Sequence, residues 1–103
     1  MHLFYDHLID IVPVRRQLET YLQPAEVEEI LLVLDGAHHH AVMESVLRII
    51  PLHEHEVFLE AFATDPSAAS LLEYLARHDP DIEVRIRQAV DESNKKFLDG
   101  IHE

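Results

Sequence analysis

The sequence predicts an all-α fold: a compact bundle or orthogonal array of five to six short helices around a long central helix, in a single helical domain over residues 1–103. Three observations support this prediction. Apolar residues recur at the spacing of one helix face in every segment. Prolines and aspartates separate the segments by very short connections, as in helical bundles. Alternating apolar and polar residues around a hairpin turn, which would indicate strands, are missing from the sequence.

The first two segments are short and are separated by Pro13. Residues 3–12 predict a helix, because their apolar positions follow an i, i+4, i+7, i+8 pattern. These positions are Phe4, Leu8, Ile11 and Val12. We expect Pro13 to stop or kink this helix, since proline lacks an N–H and crowds the preceding turn. A second short helical piece is predicted over residues 14–22.

Residues 24–50 predict the long central helix. Pro24 suits its first turn, where an N–H would be unpaired, and the glutamates that follow suit the positive end of the helix dipole. Asp35 and Gly36 form a weak point, because glycine in a helix interior costs about 1 kcal/mol relative to alanine. We expect a continuous or kinked helix across them. Beyond residue 37 the helix is apolar around most of its circumference, which is typical of a bundle centre or a subunit interface.

Further helices follow, each introduced by proline. Pro51 ends the central helix and starts the next one. Residues 64–66 combine a capping residue with proline, which predicts a stop followed by a new helix. Residues 78–81 separate that short helix from the last one. In the last helix one apolar stripe extends from Ile82 to Ile101, about five turns.

The composition excludes several classes of protein. Twenty acidic and eight basic residues give a net charge of −12, which disfavours binding to nucleic-acid phosphates and to anionic membranes. The absence of cysteine excludes disulfides, zinc–thiolate sites and iron–sulfur clusters. The longest stretch without charged residues, 36–43, is too short to cross a bilayer. We therefore expect a cytoplasmic protein that binds neither membranes nor nucleic acids.

Several segments after residue 21 resemble a family of short, uncharacterised all-helical bacterial proteins, a domain of unknown function. The resemblance covers about residues 22–101 and rests on helix openings, apolar spacing and proline turns. The segments that carry it are LQPAEVEEI, AVMESVLRIIP, HEHEVFLEAF, LLEYLARHDPDIE and NKKFL. It implies an α-helical fold and assigns no catalytic or binding residue.

Nine histidines among 103 residues are the most unusual feature of the sequence. Helical spacing brings together three pairs of candidate metal ligands. The pairs are Asp35 with His39, His40 with Glu44, and His53 with Glu56. Each pair could supply two ligands of the kind that zinc, manganese or iron accept. A histidine/carboxylate metal-binding bundle is thus one hypothesis. The other is that these pairs are ordinary surface contacts, and the Glu-x-x-His motif of di-iron bundles is missing from the sequence.

His38 and His55 differ from the other histidines, because both fall on apolar helix faces. A histidine in such a position usually packs as a neutral ring with one hydrogen bond, often to a backbone carbonyl. The alternative is a pH-sensitive contact, because acidification toward pH 5 would place a charge in a core or an interface.

The sequence contains no pattern that indicates a catalytic site or a cofactor. Its serines lie outside a Gly-x-Ser-x-Gly elbow, and glycine-rich phosphate loops are missing. We therefore expect a non-enzymatic protein–protein interaction or regulatory module that self-associates as a homodimer and binds an unknown protein partner. The predicted interface uses the N-terminal segment, the central helix or both. Its residues are Phe4, Tyr5, Leu8, Met43 and Val46.

Overall fold

The computed structural model describes the backbone of residues 3–102 and the side chains of residues 3–100. Within this range the chain forms five α-helices and two short 3₁₀ turns, and it contains no strand. The helices are α1 (Val12–Tyr21), α2 (Pro24–Ile49), α3 (His55–Thr64), α4 (Ala69–His78) and α5 (Ile82–His102). The 3₁₀ turns are Asp6–Leu8 and Leu52–Glu54. The all-α prediction with a long central helix is confirmed.

Helix α2 begins and ends where the sequence indicates. Pro24 occupies its first turn, and the Glu26 carboxylate accepts the Gln23 backbone N–H at 3.1 Å. The helix continues without interruption through Gly36, which confirms the prediction of a continuous rather than a broken helix. It ends at Ile49, and the next residue, Ile50, has an extended backbone and precedes a proline.

Helices α2 and α5 are antiparallel and form the axis of the molecule. The first half of α2 packs against the end of α5, and the second half of α2 packs against the beginning of α5. The core is accordingly divided into two parts along this axis. The large core consists of Phe4, Tyr5, Leu8, Val42, Val46, Ile50, Phe58, Leu71, Leu75, Ile82, Ile86 and Val90. The small core consists of Val14, Leu18, Val27 and Leu34.

The prediction of a helix over residues 3–12 is wrong. Apart from one 3₁₀ turn, this segment is irregular, and α1 begins at Val12 with proline in its first turn. Aspartate side chains replace helical bonds here, since the Asp6 carboxylate accepts the Leu3 N–H at 2.7 Å and Asp10 accepts the Val12 N–H at 3.1 Å. The Phe4 N–H donates to the Pro66 carbonyl at 2.8 Å. This bond anchors the segment to the α3–α4 connection.

The molecule is longer than a compact domain of its size. Its extents are 44 × 22 × 19 Å and its radius of gyration is 15.0 Å, whereas a compact chain of this length has a radius of about 13 Å. Among the described helices, none is both long and apolar enough to cross a membrane. The elongation arises because α2 and α5 extend beyond α3 and α4, and only α1 packs beside their far ends.

Candidate functional site

A hydrogen-bonded pair lies where the N-terminal segment meets the middle of α2. Tyr5 is buried, and its hydroxyl forms a hydrogen bond with His39 Nδ1 at 2.6 Å. Burial raises the pKa of Tyr5 well above its ordinary value, with further contributions from the carboxylates of Asp6 and Asp35. The hydroxyl therefore stays protonated at neutral pH. The His39 ring packs against Phe62 at 5.7 Å between ring centroids, so it connects three parts of the chain.

Sequence reasoning missed this pair. His39 was predicted as a metal ligand with Asp35, and Tyr5 as an interface residue. The two partners are 34 positions apart in the chain. Because the N-terminal segment was predicted as a helix, no local pattern indicated that its tyrosine reaches the histidine cluster.

The two histidines on apolar faces each use Nε2 for one hydrogen bond. His38 is only 1% exposed, and its ring contacts Asn94 Oδ1 of α5 at 2.5 Å. The half-buried His55 contacts the Ile50 carbonyl at 2.8 Å, across the connection between α2 and α3. In both cases the ring nitrogen donates, because a carbonyl oxygen can only accept. Each ring thus makes the single hydrogen bond expected of a packed histidine, and a pH-sensing role for either stays a prediction.

The proposed metal ligands do not come together. His40 lies 3.5 Å from Glu44, but Glu44 also pairs with Arg48. His53 is near Glu54, at 3.8 Å, whereas Glu56 was the predicted partner. Across the part of the chain that the structure describes, no group of three or more histidine, aspartate or glutamate side chains could hold a metal ion. The structure therefore does not support the metal hypothesis at Asp35, His39, His40, Glu44, His53 and Glu56.

The predicted interface residues belong to the core of the chain itself. Phe4, Tyr5, Leu8 and Val46 are all buried, and Met43 packs beside them. The irregular N-terminal segment folds back over the second half of α2 and covers it, so the four buried side chains pack within their own chain. An interface between copies has to use other residues.

Glu54 connects the second 3₁₀ turn to α4. It accepts the Tyr74 hydroxyl at 2.6 Å, and the ring of His78 lies 3.7 Å from the same carboxylate. Burial and the hydrogen bond to Glu54 raise the pKa of Tyr74 to about 12. Tyr74 also stacks on Phe58, at 6.0 Å between ring centroids. These contacts hold α3 against α4, so they are structural.

A groove of about 610 Å³ runs between α2 and α5. The small side chains that line it are Ala37, Ala41, Ser45, Ala89 and Ser93. On its rim, Glu44 pairs with Arg48, and Arg85 pairs with Asp79 outside the groove. Glu92, Lys96 and His40 line the groove as well, so it carries charges of both signs and matches no single kind of ligand.

Large apolar side chains are exposed at two places that do not line the groove, and Val12, Tyr21 and Val84 are exposed elsewhere. The open face of α2 consists of Ala25, Glu29, Leu32, Val33, Gly36 and His40, all of which are exposed. Its large apolar members are Leu32 at 75% and Val33 at 66% exposure. The α3 patch consists of Leu52, Val57 and Leu59, with Val57 at 67% exposure. Leu32 and Val33 lie side by side on α2, whereas Val57 and Leu59 are two positions apart and lie about 200° apart around α3. Exposed apolar groups that lie together, as on the open face of α2, are typical of surfaces that contact another protein.

Comparison of the chain with protein-family models, curated proteins and solved structures finds no match. The resemblance to a family of all-helical bacterial proteins therefore stays a prediction, and function has to be argued from the surface of the molecule itself.

Proposed function

We propose that this chain is a small, non-enzymatic interaction module that self-associates as a homodimer. The observation that carries the proposal is the exposure of large apolar side chains at two places, the open face of α2 and the α3 patch. Removing such side chains from water is the main favourable contribution to association. A second copy is a partner that is always present at the protein's own concentration.

The roles of the polar side chains support the non-enzymatic part of the proposal. Tyr5, His38, His55 and Tyr74 all make hydrogen bonds that tie one element of the fold to another. Groups that hold the fold together in this way are poorly placed to exchange protons with a substrate, because any movement would loosen the packing around them.

The net charge of the chain limits the classes of molecule that we propose as partners. A net charge of −12 opposes binding to nucleic acids and anionic lipids, so the proposed partners are proteins. We also propose a cytoplasmic location, with which the cysteine-free sequence is compatible.

Sedimentation equilibrium over a wide range of protein concentration tests self-association. The expected result is a weight-average mass that rises from 11.9 kDa toward twice that value as concentration increases. A mass that stays at 11.9 kDa up to about 1 mM, where even a weak dimer with a millimolar dissociation constant would be visible, would overturn the proposal.

A further inference from the structure

We infer that two copies of this chain pair through the open face of α2, with the two α2 helices antiparallel about a twofold axis between Leu32 and Val33. This inference rests on the proposed self-association and names the surface that performs it. The centre of the open face lies in the first half of α2, where the N-terminal segment, α3 and α4 do not cover the helix.

The residue pattern of the open face is self-complementary. In an antiparallel pair centred between positions 32 and 33, position i lies opposite position 65 − i of the partner. The six residues of the face then pair among themselves. Leu32 lies opposite the partner's Val33, Glu29 opposite the partner's Gly36, and Ala25 opposite the partner's His40. An isologous interface requires this kind of match, because the same patch is used twice.

Side-chain size agrees with this register. Glu29 and His40 are long, and each lies opposite a residue with little or no side chain, the partner's Gly36 or Ala25. Close packing of two helices needs such alternation of large and small residues. A Cβ atom added to Gly36 would lie in empty space within its own chain, since no atom lies within 4 Å of that position. No contact inside the chain therefore requires glycine there. The partner's Glu29, however, gains space because Gly36 has no side chain.

Exposed carboxylates, Glu26 and Asp35, flank the open face, but the open face also carries the imidazole of His40. In the inferred register, Glu29 lies one helical turn along the axis from the partner's His40, so each copy brings a carboxylate near an imidazole of the other. His40 also lies 3.5 Å from Glu44 of its own helix. Val57 of the α3 patch has Glu56 and Glu60 as exposed neighbours on its helix. Pairing two copies there would bring carboxylates together, which is unfavourable.

The length of the face sets the strength of the pair. From position 25 to position 40 a helix extends about 22 Å. One helix face of this length buries less area than a stable standard-size interface, so we expect a weak dimer that depends on concentration.

The absence of cysteine allows a direct test of geometry by single-cysteine variants. Val33→Cys lies beside the twofold axis and should form a disulfide with its own copy under mild oxidation. Ala25→Cys and His40→Cys should each fail to crosslink alone and should crosslink when mixed. Val57→Cys, equally exposed on the α3 patch, measures random collision. Crosslinking of Ala25→Cys with itself would show parallel helices, and equal crosslinking of Val33→Cys and Val57→Cys would show no specific contact; either overturns the inference.

Sedimentation equilibrium of two matched variants separates this inference from the proposed function. Leu32→Glu should raise the dimer dissociation constant by about tenfold or more, because it places a charge at the centre of the interface. Val57→Glu should leave the constant unchanged. Both positions are exposed, so circular dichroism should show an intact helical fold in each variant. If only Val57→Glu weakens the dimer, the inference fails and self-association stands. If the unmodified protein stays monomeric, both fail.

Discussion

The two cores of this molecule use the same pair of helices with very different results. Around the second half of α2, twelve buried residues from the N-terminal segment, α2, α3, α4 and α5 form the large core. Around its first half, four buried residues from α1 and α2 form the small core, with Phe97 and Leu98 of α5 packed against them. The large core covers α2 from several sides, whereas the small core leaves Leu32 and Val33 exposed.

The difference follows from helix length. Helix α2 has 26 residues and α5 has 21, whereas α1, α3 and α4 have 10 each. At 1.5 Å per residue, α2 is about 39 Å long and each short helix about 15 Å. Two short helices and the N-terminal segment therefore suffice for one end of α2, but α1 alone cannot surround the other. The surface that we propose for self-association is the side of α2 that α1 does not reach.

Matched leucine truncations should give the largest contrast between the two cores. Leu75→Ala in the large core should lower the free energy of unfolding by about 3–5 kcal/mol, since surrounding helices on several sides keep the cavity from collapsing. Leu18→Ala in the small core should cost about 2–3 kcal/mol, because fewer neighbours hold that cavity open. Both side chains are at most 1% exposed in the native chain. Urea denaturation of the two variants measures the difference.

Hydrogen exchange supplies the control for this comparison. Leu18→Ala should speed amide exchange in α1 before α3 and α4, because local opening is governed by local packing. Equal losses of stability in the two variants, with uniform acceleration of exchange, would show that the cores unfold as one and that the division between them has no energetic meaning.

Helix positions could be predicted from sequence because their signals are local. Pro24 and Pro51 bound α2, and residues 78–81 separate α4 from α5, as expected. Pro13 was misread, since proline in the first turn begins a helix as readily as proline after a helix ends it. The apolar spacing of residues 3–12 is compatible with a helix, but Asp6 and Asp10 cap nearby backbone N–H groups and favour an irregular path.

The candidate site was harder to predict, because it depends on which helix faces remain uncovered. The sequence shows that α2 is apolar on more than one side, and this led to an interface that included Met43 and Val46. Once the N-terminal segment packs over that half, the exposed apolar side chains are Leu32 and Val33 instead. Periodicity identifies apolar faces, but only the tertiary arrangement decides which face stays open.

Removing the His38–Asn94 hydrogen bond should have the next largest effect on the free energy of unfolding. This bond connects α2 to α5 between the two cores, and the His38 ring is almost fully buried. Asn94→Ala should lower the free energy of unfolding by about 1–3 kcal/mol, because the buried N–H of the ring loses its acceptor. Thermal denaturation measures this loss. Pairing Asn94→Ala with His38→Leu should recover part of it, since the orphaned donor is then removed; a purely additive double variant would contradict this account.

Alkaline pH should act on the large core through its tyrosines. Tyr5 and Tyr74 have pKa values raised above 10.0, to about 12 for Tyr74, so the folded state favours their protonated form. Stability from this source is complete below pH 10 and is lost as pH rises through 10 toward 12. Tyr74→Phe should cost about 1 kcal/mol at neutral pH, through loss of one hydrogen bond.

Urea denaturation at several alkaline pH values tests this effect. Tyr5→Phe and Tyr74→Phe should each flatten the decline in stability above pH 10, because each removes a group that ionises more readily in the unfolded chain. Ultraviolet absorbance of tyrosinate should show their late ionisation in the native protein. A parent protein and both variants with the same alkaline slope would mean that these hydroxyls do not stabilise the large core.

The smallest expected effect concerns Gly36, in the sparsely covered half of α2. Gly36→Ala should raise the free energy of unfolding by about 0.5–1 kcal/mol, since alanine loses less backbone entropy in a helix. The added methyl group meets no atom within 4 Å, and no described glycine has a positive φ, so the substitution brings no strain in the single chain. Urea denaturation at low protein concentration, where the chain is monomeric, isolates this gain.

Gly36→Leu provides the contrast: it should leave the monomer folded but weaken the dimer, because its side chain occupies the space opposite the partner's Glu29. Should Gly36→Leu dimerise as well as the parent, glycine at this position would have no role in close approach, and the register inferred for the two helices would be wrong.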